Sequence, residues 1–271
     1  MKVAAVQFAP VIGDKTGNAE RIVGLIQEAA GHGAEYIVLP ECALTGYCFD
    51  EPTEPQGLAE PVPGPFTAQL GALTAELGVV AIVGLIEAVE ATLFNTAVVA
   101  GPQGLVGRYR KTHLPCLGFD RFATPGTEDF RTVAVGEVRM GVLICYDLRF
   151  PEAARLLTLQ GADLIALPTN WPAPKGSIYP DFIVRTRACE NRVYVVAANR
   201  VGEERGERFI GRSQIVDPSG DVLAEADSEL PQTIFADASL AEARNKRFGT
   251  RTYHVDILKD RRPDLYSGLA G

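Results

Sequence analysis

Apolar and polar positions alternate along Lys2–Phe8, a period of two that predicts a strand. Over Asn18–Ala30 the period lengthens, and Ile22, Val23, Leu25, Ile26 and Ala29 mark one face of an amphipathic helix. Glu35–Leu39 is a short β-rich run that stops at Pro40. Acidic, proline-rich Asp50–Pro65 predicts loop, and Phe66–Leu77 a helix. Val79–Ile86 and Phe94–Ala100 are continuously apolar, as strands covered on both faces require. Gly101-Pro-Gln-Gly104 turns the chain into Leu105–Tyr109 and completes a hairpin.

In the second half Val138–Ile144 predicts a strand. Pro151 opens a helix that runs to Leu159, with proline in the first turn and Glu152 beside it. Leu164–Leu167 predicts a strand, Asp181–Asn191 a helix and Val193–Ala198 a strand. Ile210–Val216 and Val222–Ala226 flank the turn Asp217-Pro-Ser-Gly220, and Thr233–Ala236 closes the sheet system. A polar tail follows, with a short helix at Ala238–Arg244. Gly33-Ala-Glu-Tyr-Ile-Val-Leu-Pro40 matches Gly161-Ala-Asp-Leu-Ile-Ala-Leu-Pro168 at five of eight positions. Two similar halves, each supplying one sheet, would bring the ends of these strands to one site. No linker-like stretch divides the chain. The pattern therefore predicts one α/β domain over 1–271, with helices outside two mixed sheets and 239–271 as a solvated or subunit-contacting tail.

Composition is that of an ordinary globular protein, 46% apolar and 22% charged. The net charge of −8 repels phosphate backbones and argues against nucleic acid as a partner. The basic stretch Glu242–Arg262 is the local exception. The longest apolar run, Val79–Ile86, falls far short of the ~20 residues of a membrane span. The N-terminus enters strand-like sequence at once, without a secretory core or an Ala-x-Ala site, so a cytoplasmic location is expected. The five cysteines, Cys42, Cys48, Cys116, Cys145 and Cys189, are odd in number and scattered, which implies no disulfide framework. His113-x2-Cys116 lacks a second ligand pair, so no metal is expected. No Gly-rich phosphate loop is present, and no cofactor is expected.

Cys145 stands where a predicted strand stops and a helix is about to begin. α/β folds expose nucleophiles at such turns, with backbone N–H groups aimed at the reacting atom and a helix N-terminus favouring anionic sulfur. A cysteine taken at random is a packed strand-end residue, but the neighbouring Tyr146-Asp147-Leu148-Arg149 raises this one above that background. A thiol needs a base and a positive charge. The three histidines, His32, His113 and His254, carry no thiol-protease motif, and His113 reads as a packing or supporting residue. Glu41 ends a strand where α/β folds place active sites, and Lys111 lies just past a hairpin strand.

Pro40-Glu-Cys-Ala-Leu-Thr-Gly-Tyr47, Tyr109-Arg-Lys-Thr-His-Leu-Pro115 and Leu143-Ile-Cys-Tyr-Asp-Leu-Arg-Phe-Pro-Glu152 resemble, in order, three signature segments of the nitrilase superfamily, the carbon–nitrogen hydrolases. The resemblance runs from Val3 to about Ala226 and includes Asn191-Arg-Val-Tyr194, Asn199-Arg-Val-Gly202 and Phe209-Ile-Gly-Arg-Ser213. It implies a four-layer α-β-β-α sandwich that assembles at least as a homodimer, and a triad of Glu41, Lys111 and Cys145. It further implies attack of the Cys145 sulfur on an amide carbonyl with Glu41 as base. Lys111 and the Tyr146 backbone N–H would hold the oxyanion. Many members carry a second Glu after the Lys segment. Here Leu117-Gly-Phe-Asp-Arg-Phe-Ala-Thr-Pro-Gly126 offers only Asp120, which is expected either to stand in for it, positioning substrate or Lys111, or to be an exposed loop acid beside Arg121.

Cys-Tyr-Asp-Leu-Arg-Phe-Pro-Glu resembles the amidase branches. The Cys-Trp-Glu usual in nitrilases and the Cys-Asn-Asp-Arg-Arg common in N-carbamoyl hydrolases are absent, as is the Phe-Asp-Ile-Asp pattern of ω-amidases. The expected substrate is a small amide, in a pocket involving Tyr47, Phe119, Asn170 and Trp171. Nitrile or carbamoyl hydrolysis is the alternative within the superfamily. A Cys-His thiol enzyme using His113 or His254, and a non-catalytic scaffold, are the alternatives outside it.

Overall fold

The computed structural model describes residues 1–270; Gly271, the last residue of the expected tail, lies outside them. The first half runs β1 (Lys2–Gln7), α1 (Lys15–Gly31), β2 (Tyr36–Val38), α2 (Pro65–Leu77), β3 (Val80–Val89), β4 (Thr92–Gly101) and β5 (Gly104–Arg110). The second runs β6 (Val133–Val135), β7 (Val138–Val142), α3 (Pro151–Leu159), β8 (Leu164–Thr169), α4 (Val184–Asn191) and β9 (Tyr194–Asn199). The chain continues through β10 (Val201–Glu204), β11 (Glu207–Ile210), β12 (Gln214–Val216), β13 (Val222–Glu225), β14 (Gln232–Asp237), α5 (Leu240–Arg244), β15 (Arg247–Gly249) and β16 (His254–Asp256).

Two six-stranded mixed sheets result, ordered β14-β1-β2-β3-β4-β5 and β13-β12-β9-β8-β7-β6. Each has a parallel trio at its heart, β1-β2-β3 in one and β7-β8-β9 in the other, with antiparallel strands outside. Alternation assigns the faces. Val3, Ala5, Val38, Val80 and Ile82 point into the layer shared with β7, β8 and β9, while Ala4, Val6, Ile37, Ala81 and Val83 pack under Ile22, Ile26, Leu70 and Leu73 of α1 and α2. On the far side α3 closes so tightly on β7 that a Cβ at Gly141 would lie 2.7 Å from Leu157 Cδ1. This is the expected four-layer α-β-β-α sandwich, and burial on both faces explains why its central strands read as unbroken apolar runs. The repeated segments occupy matching central positions, β2 and β8, and their ends do meet: Asn170 Nδ2 donates to the Glu41 carbonyl at 3.0 Å.

Three local expectations change. The single strand Ile210–Val216 is two, because Gly211 (φ +59°) and Arg212 (φ +55°) take the left-handed conformation and break it. Its first part instead joins the hairpin β10–β11, whose turn residues Arg205 (φ +50°) and Gly206 (φ +84°) are both left-handed, as a tight two-residue hairpin turn demands. The helix predicted over Asp181–Asn191 starts two residues earlier with a π-helical turn, Tyr179–Ile183, that leads into α4. The tail helix is α5, and beyond it β15 and β16 pair as an exposed hairpin.

One close approach positions the site directly. The segment after β2 crosses Gly84 of β3 so closely that a Cβ there would lie 2.5 Å from Cys42 N, 2.6 Å from the Pro40 carbonyl oxygen and 2.7 Å from Glu41 Cα. All three are backbone atoms and cannot swing away. Gly84→Ala is therefore expected to cost about 1–3 kcal/mol of stability, the usual penalty of overpacking, read as a lower midpoint in urea unfolding.

Candidate active site

Glu41, Lys111 and Asp120 come from three loops at one end of the first sheet and close on one another in the interior. Lys111 is fully buried; its Nζ donates to Glu41 Oε1 at 2.7 Å and to Asp120 Oδ2 at 2.5 Å. A third residue binds the two acids together. Asn95 Nδ2, from the apolar strand β4, donates to Glu41 Oε1 and to Asp120 Oδ1, both at 2.7 Å. The Tyr47 hydroxyl completes the set by donating to Asp120 Oδ2 at 2.7 Å. Asp120 is thus buried and braces Lys111; it is not the exposed acid that one reading allowed. Every bond it accepts comes from the protein.

Two carboxylates around one ammonium leave a negative excess among buried groups. Burial, reinforced by Asp120, raises the Glu41 carboxyl from 4.5 to about 7, against the pull of Lys111 and Asn95. Burial alone would lower Lys111, but Asp120 and Glu41 outweigh it and hold the ammonium well above its usual range. Glu41 Oε1 carries both hydrogen bonds, while Oε2 is buried without a partner.

Cys145 arrives from the second sheet. It takes φ +47° as it leaves β7 and opens a short 3-10 turn, Cys145–Arg149. The helix α3 starts at Pro151 as expected, and the 3-10 turn stands between it and the end of β7. Among the described residues the Tyr146 backbone N–H has no protein acceptor. Burial, and next the Glu41 charge, push the Cys145 thiol up to about 12. Lys111, the Thr169 hydroxyl and the Asn170 backbone N–H oppose them. These influences, taken together, favour the neutral thiol over the thiolate.

Two buried carboxylates lock the parts together. Asp147 Oδ1 accepts from His113 N (2.9 Å) and His113 Nδ1 (2.8 Å), and its Oδ2 accepts from the Tyr109 hydroxyl (2.8 Å) and Ile144 N (3.0 Å). It ties the cysteine turn to the Lys111 segment. Glu204, on β10 and paired with Arg200 at 2.7 Å, accepts from Tyr47 N (2.8 Å) and Cys48 N (2.6 Å). His113 is thus the supporting residue expected of it, stacked on Phe150 at 3.8 Å. His254 sits on the exposed tail hairpin and His32 at the end of α1.

The expected pocket residues divide. Tyr47 spends its hydroxyl on Asp120, and Phe119 joins Phe49, Ile86 and Phe209 in the adjoining apolar cluster, so both support the acids. Asn170 and Trp171 follow β8 toward the sulfur, with Trp171 stacked on Tyr179 at 5.1 Å. Asn95, which bridges the two acids, escaped the sequence reading. Asn95 had a signal, a lone amide within the apolar run Leu93–Gly101.

The sequence model of the carbon–nitrogen hydrolase family matches residues 2–248. A protein of Pyrococcus abyssi named nitrilase is 42% identical, the match covering 98% of this chain and 99% of that one. An ω-amidase of Xenopus tropicalis is 36% identical over 98% of this chain and 96% of its own. The crystal structure of Nit3 of Saccharomyces cerevisiae, described as a member of branch 10 of the nitrilase superfamily, superposes with a TM-score of 0.81 at 27% identity, covering 90% of this chain and 91% of that one.

The charge excess has a measurable consequence. The raised Glu41 carboxyl binds its proton more tightly folded than unfolded, so its contribution to stability is present below pH 4.5 and lost as pH rises through about 7. Glu41→Gln is expected to be more stable than the parent at pH 8, by on the order of 1–3 kcal/mol, with the gap closing near pH 4.5; urea unfolding at the two pH values checks it.

Proposed function

The chain belongs to the carbon–nitrogen hydrolase family, and from that membership we propose that it hydrolyses a small carboxamide to its carboxylic acid and ammonia through a thioester on Cys145. The observation that carries this is the unpartnered Oε2 of Glu41, a buried carboxylate oxygen with basicity near neutrality, held against Lys111 in front of a neutral thiol.

Glu41 Oε2 takes the thiol proton as the sulfur bonds to the amide carbon and the carbonyl electron pair moves to oxygen. Lys111 has two N–H bonds committed to carboxylates, so its third, with the free Tyr146 backbone N–H, faces the oxyanion. Glu41 returns the proton to nitrogen, the C–N bond breaks, and ammonia leaves a thioester. Water then loses a proton to Glu41 and adds to the carbonyl. The C–S bond breaks, the sulfur recovers its proton, and the acid departs. Asp120 and Asn95 take no part in bond making; they fix the ammonium and the base in register.

This cycle needs Glu41 ionised. kcat/KM should therefore rise with pH, reach half its plateau near pH 7, and lose roughly 10²–10⁴-fold in Glu41→Gln. Ammonia release from a panel of small amides, nitriles and N-carbamoyl compounds, with Cys145→Ala as control, measures it. Turnover of nitriles alone would replace the amide reading with the activity in the name of the Pyrococcus relative.

A further inference from the structure

Among the described residues, four buried polar atoms at or just past the ends of β2 and β8 have no hydrogen-bond partner: Glu41 Oε2, Thr169 Oγ1, Asn170 Oδ1 and Trp171 Nε1. The first serves as the base. Three of the four lie on consecutive residues where β8 ends. Leaving a buried hydroxyl unpaired is costly, and a threonine at such a place ordinarily donates to a backbone carbonyl. Thr169 does not, although it is fully buried.

The fold explains what Thr169 faces. β7 and β8 are parallel, with Met140 opposite Leu164, Gly141 opposite Ile165 and Val142 opposite Ala166. The Leu143 N–H still donates to the Ala166 carbonyl. Continuing that register brings Cys145 level with Thr169. From this geometry, and resting on the thioester reading above, we propose that Thr169 is a catalytic residue whose hydroxyl, with the Asn170 backbone N–H, holds the Cys145 sulfur when that sulfur is negatively charged.

The division of labour is physical. Lys111 and the Tyr146 N–H serve the oxygen of the substrate; Thr169 and the Asn170 N–H serve the sulfur of the enzyme. Both of the latter favour the thiolate over the thiol. A neutral thiol is a poor acceptor, which is why the hydroxyl stays unpaired at rest. The bond strengthens only as charge develops, when the thiol loses its proton and again when the C–S bond breaks during hydrolysis of the thioester. An interaction absent from the ground state and present in the transition state is the kind that raises kcat. A hydroxyl needs only rotation of its hydrogen to make it.

The test uses the full-length protein with Thr169→Val, which keeps the shape and removes the hydroxyl, and Thr169→Ser, which restores it. Iodoacetamide alkylation of Cys145 is followed from pH 6 to 11 by the mass of its peptide, alongside kcat/KM for an amide. Thr169→Val is expected to move the alkylation profile alkaline by about one pH unit and to lower kcat/KM roughly 10- to 100-fold, the worth of one hydrogen bond to a charged group. Thr169→Ser is expected to return both. A Thr169→Val profile that superimposes on the parent's overturns the proposal. Should that variant fail to fold, Thr169→Ala is read in the same way. Alkylation needs no substrate, so it judges Thr169 even if the parent releases no ammonia from any amide, which would instead count against the thioester reading.

Discussion

A lysine ammonium with no access to water is the constraint on which the site depends. Taken from water alone it would lose its proton or unfold the chain around it. Two carboxylates from separate loops meet that demand, and Asn95 keeps them from drifting apart by donating to both. The arrangement overcompensates, since two negative charges surround one positive charge. Burial, with this excess added to it, raises the Glu41 carboxyl to about 7. The same imbalance that costs stability confers basicity.

The second half of the chain supplies the sulfur and the atoms around it. At its junction with the first half, two buried carboxylates collect N–H and O–H groups from the opposite side. Asp147 gathers donors from Tyr109 and His113, and Glu204 reaches from its hairpin to the backbone of Tyr47 and Cys48. These bonds restrain the main chain on either side of the reacting groups, so the relative placement of Glu41, Lys111 and Cys145 does not rest on long side chains alone. The matching positions of β2 and β8 give the arrangement a rough two-fold character, with a carboxylate at the end of one strand and a hydroxyl and an amide at the end of the other.

Much of this was legible in the residues. Apolar runs gave nearly every central strand, because strands buried on both faces show no polar interruption, and the short repeat marked the two strands whose ends touch. Asp120 could be named but not placed, since a loop acid looks the same whether solvated or sealed. What escaped depended on backbone torsion or on a missing partner. Arg205 and Arg212 take left-handed torsions that arginine does not advertise, so the β10–β11 hairpin and the break before β12 were hidden. Thr169 is an ordinary strand residue in the string of letters. Its buried hydroxyl without a formed hydrogen bond, a property of three dimensions, sets it apart.

The placement of β14 bears on how the molecule is made. Residues 232–237 pair antiparallel along the entire length of β1, Lys2 opposite Asp237 and Gln7 opposite Gln232. The next strand of the chain, β2, covers one margin of β1. The other margin offers unpaired amides and carbonyls during synthesis until β14, which follows every other strand of the two large sheets, has been made. A nascent chain that stalls before Gln232 therefore carries an open, apolar sheet edge along β1, the kind of edge on which partly made chains associate.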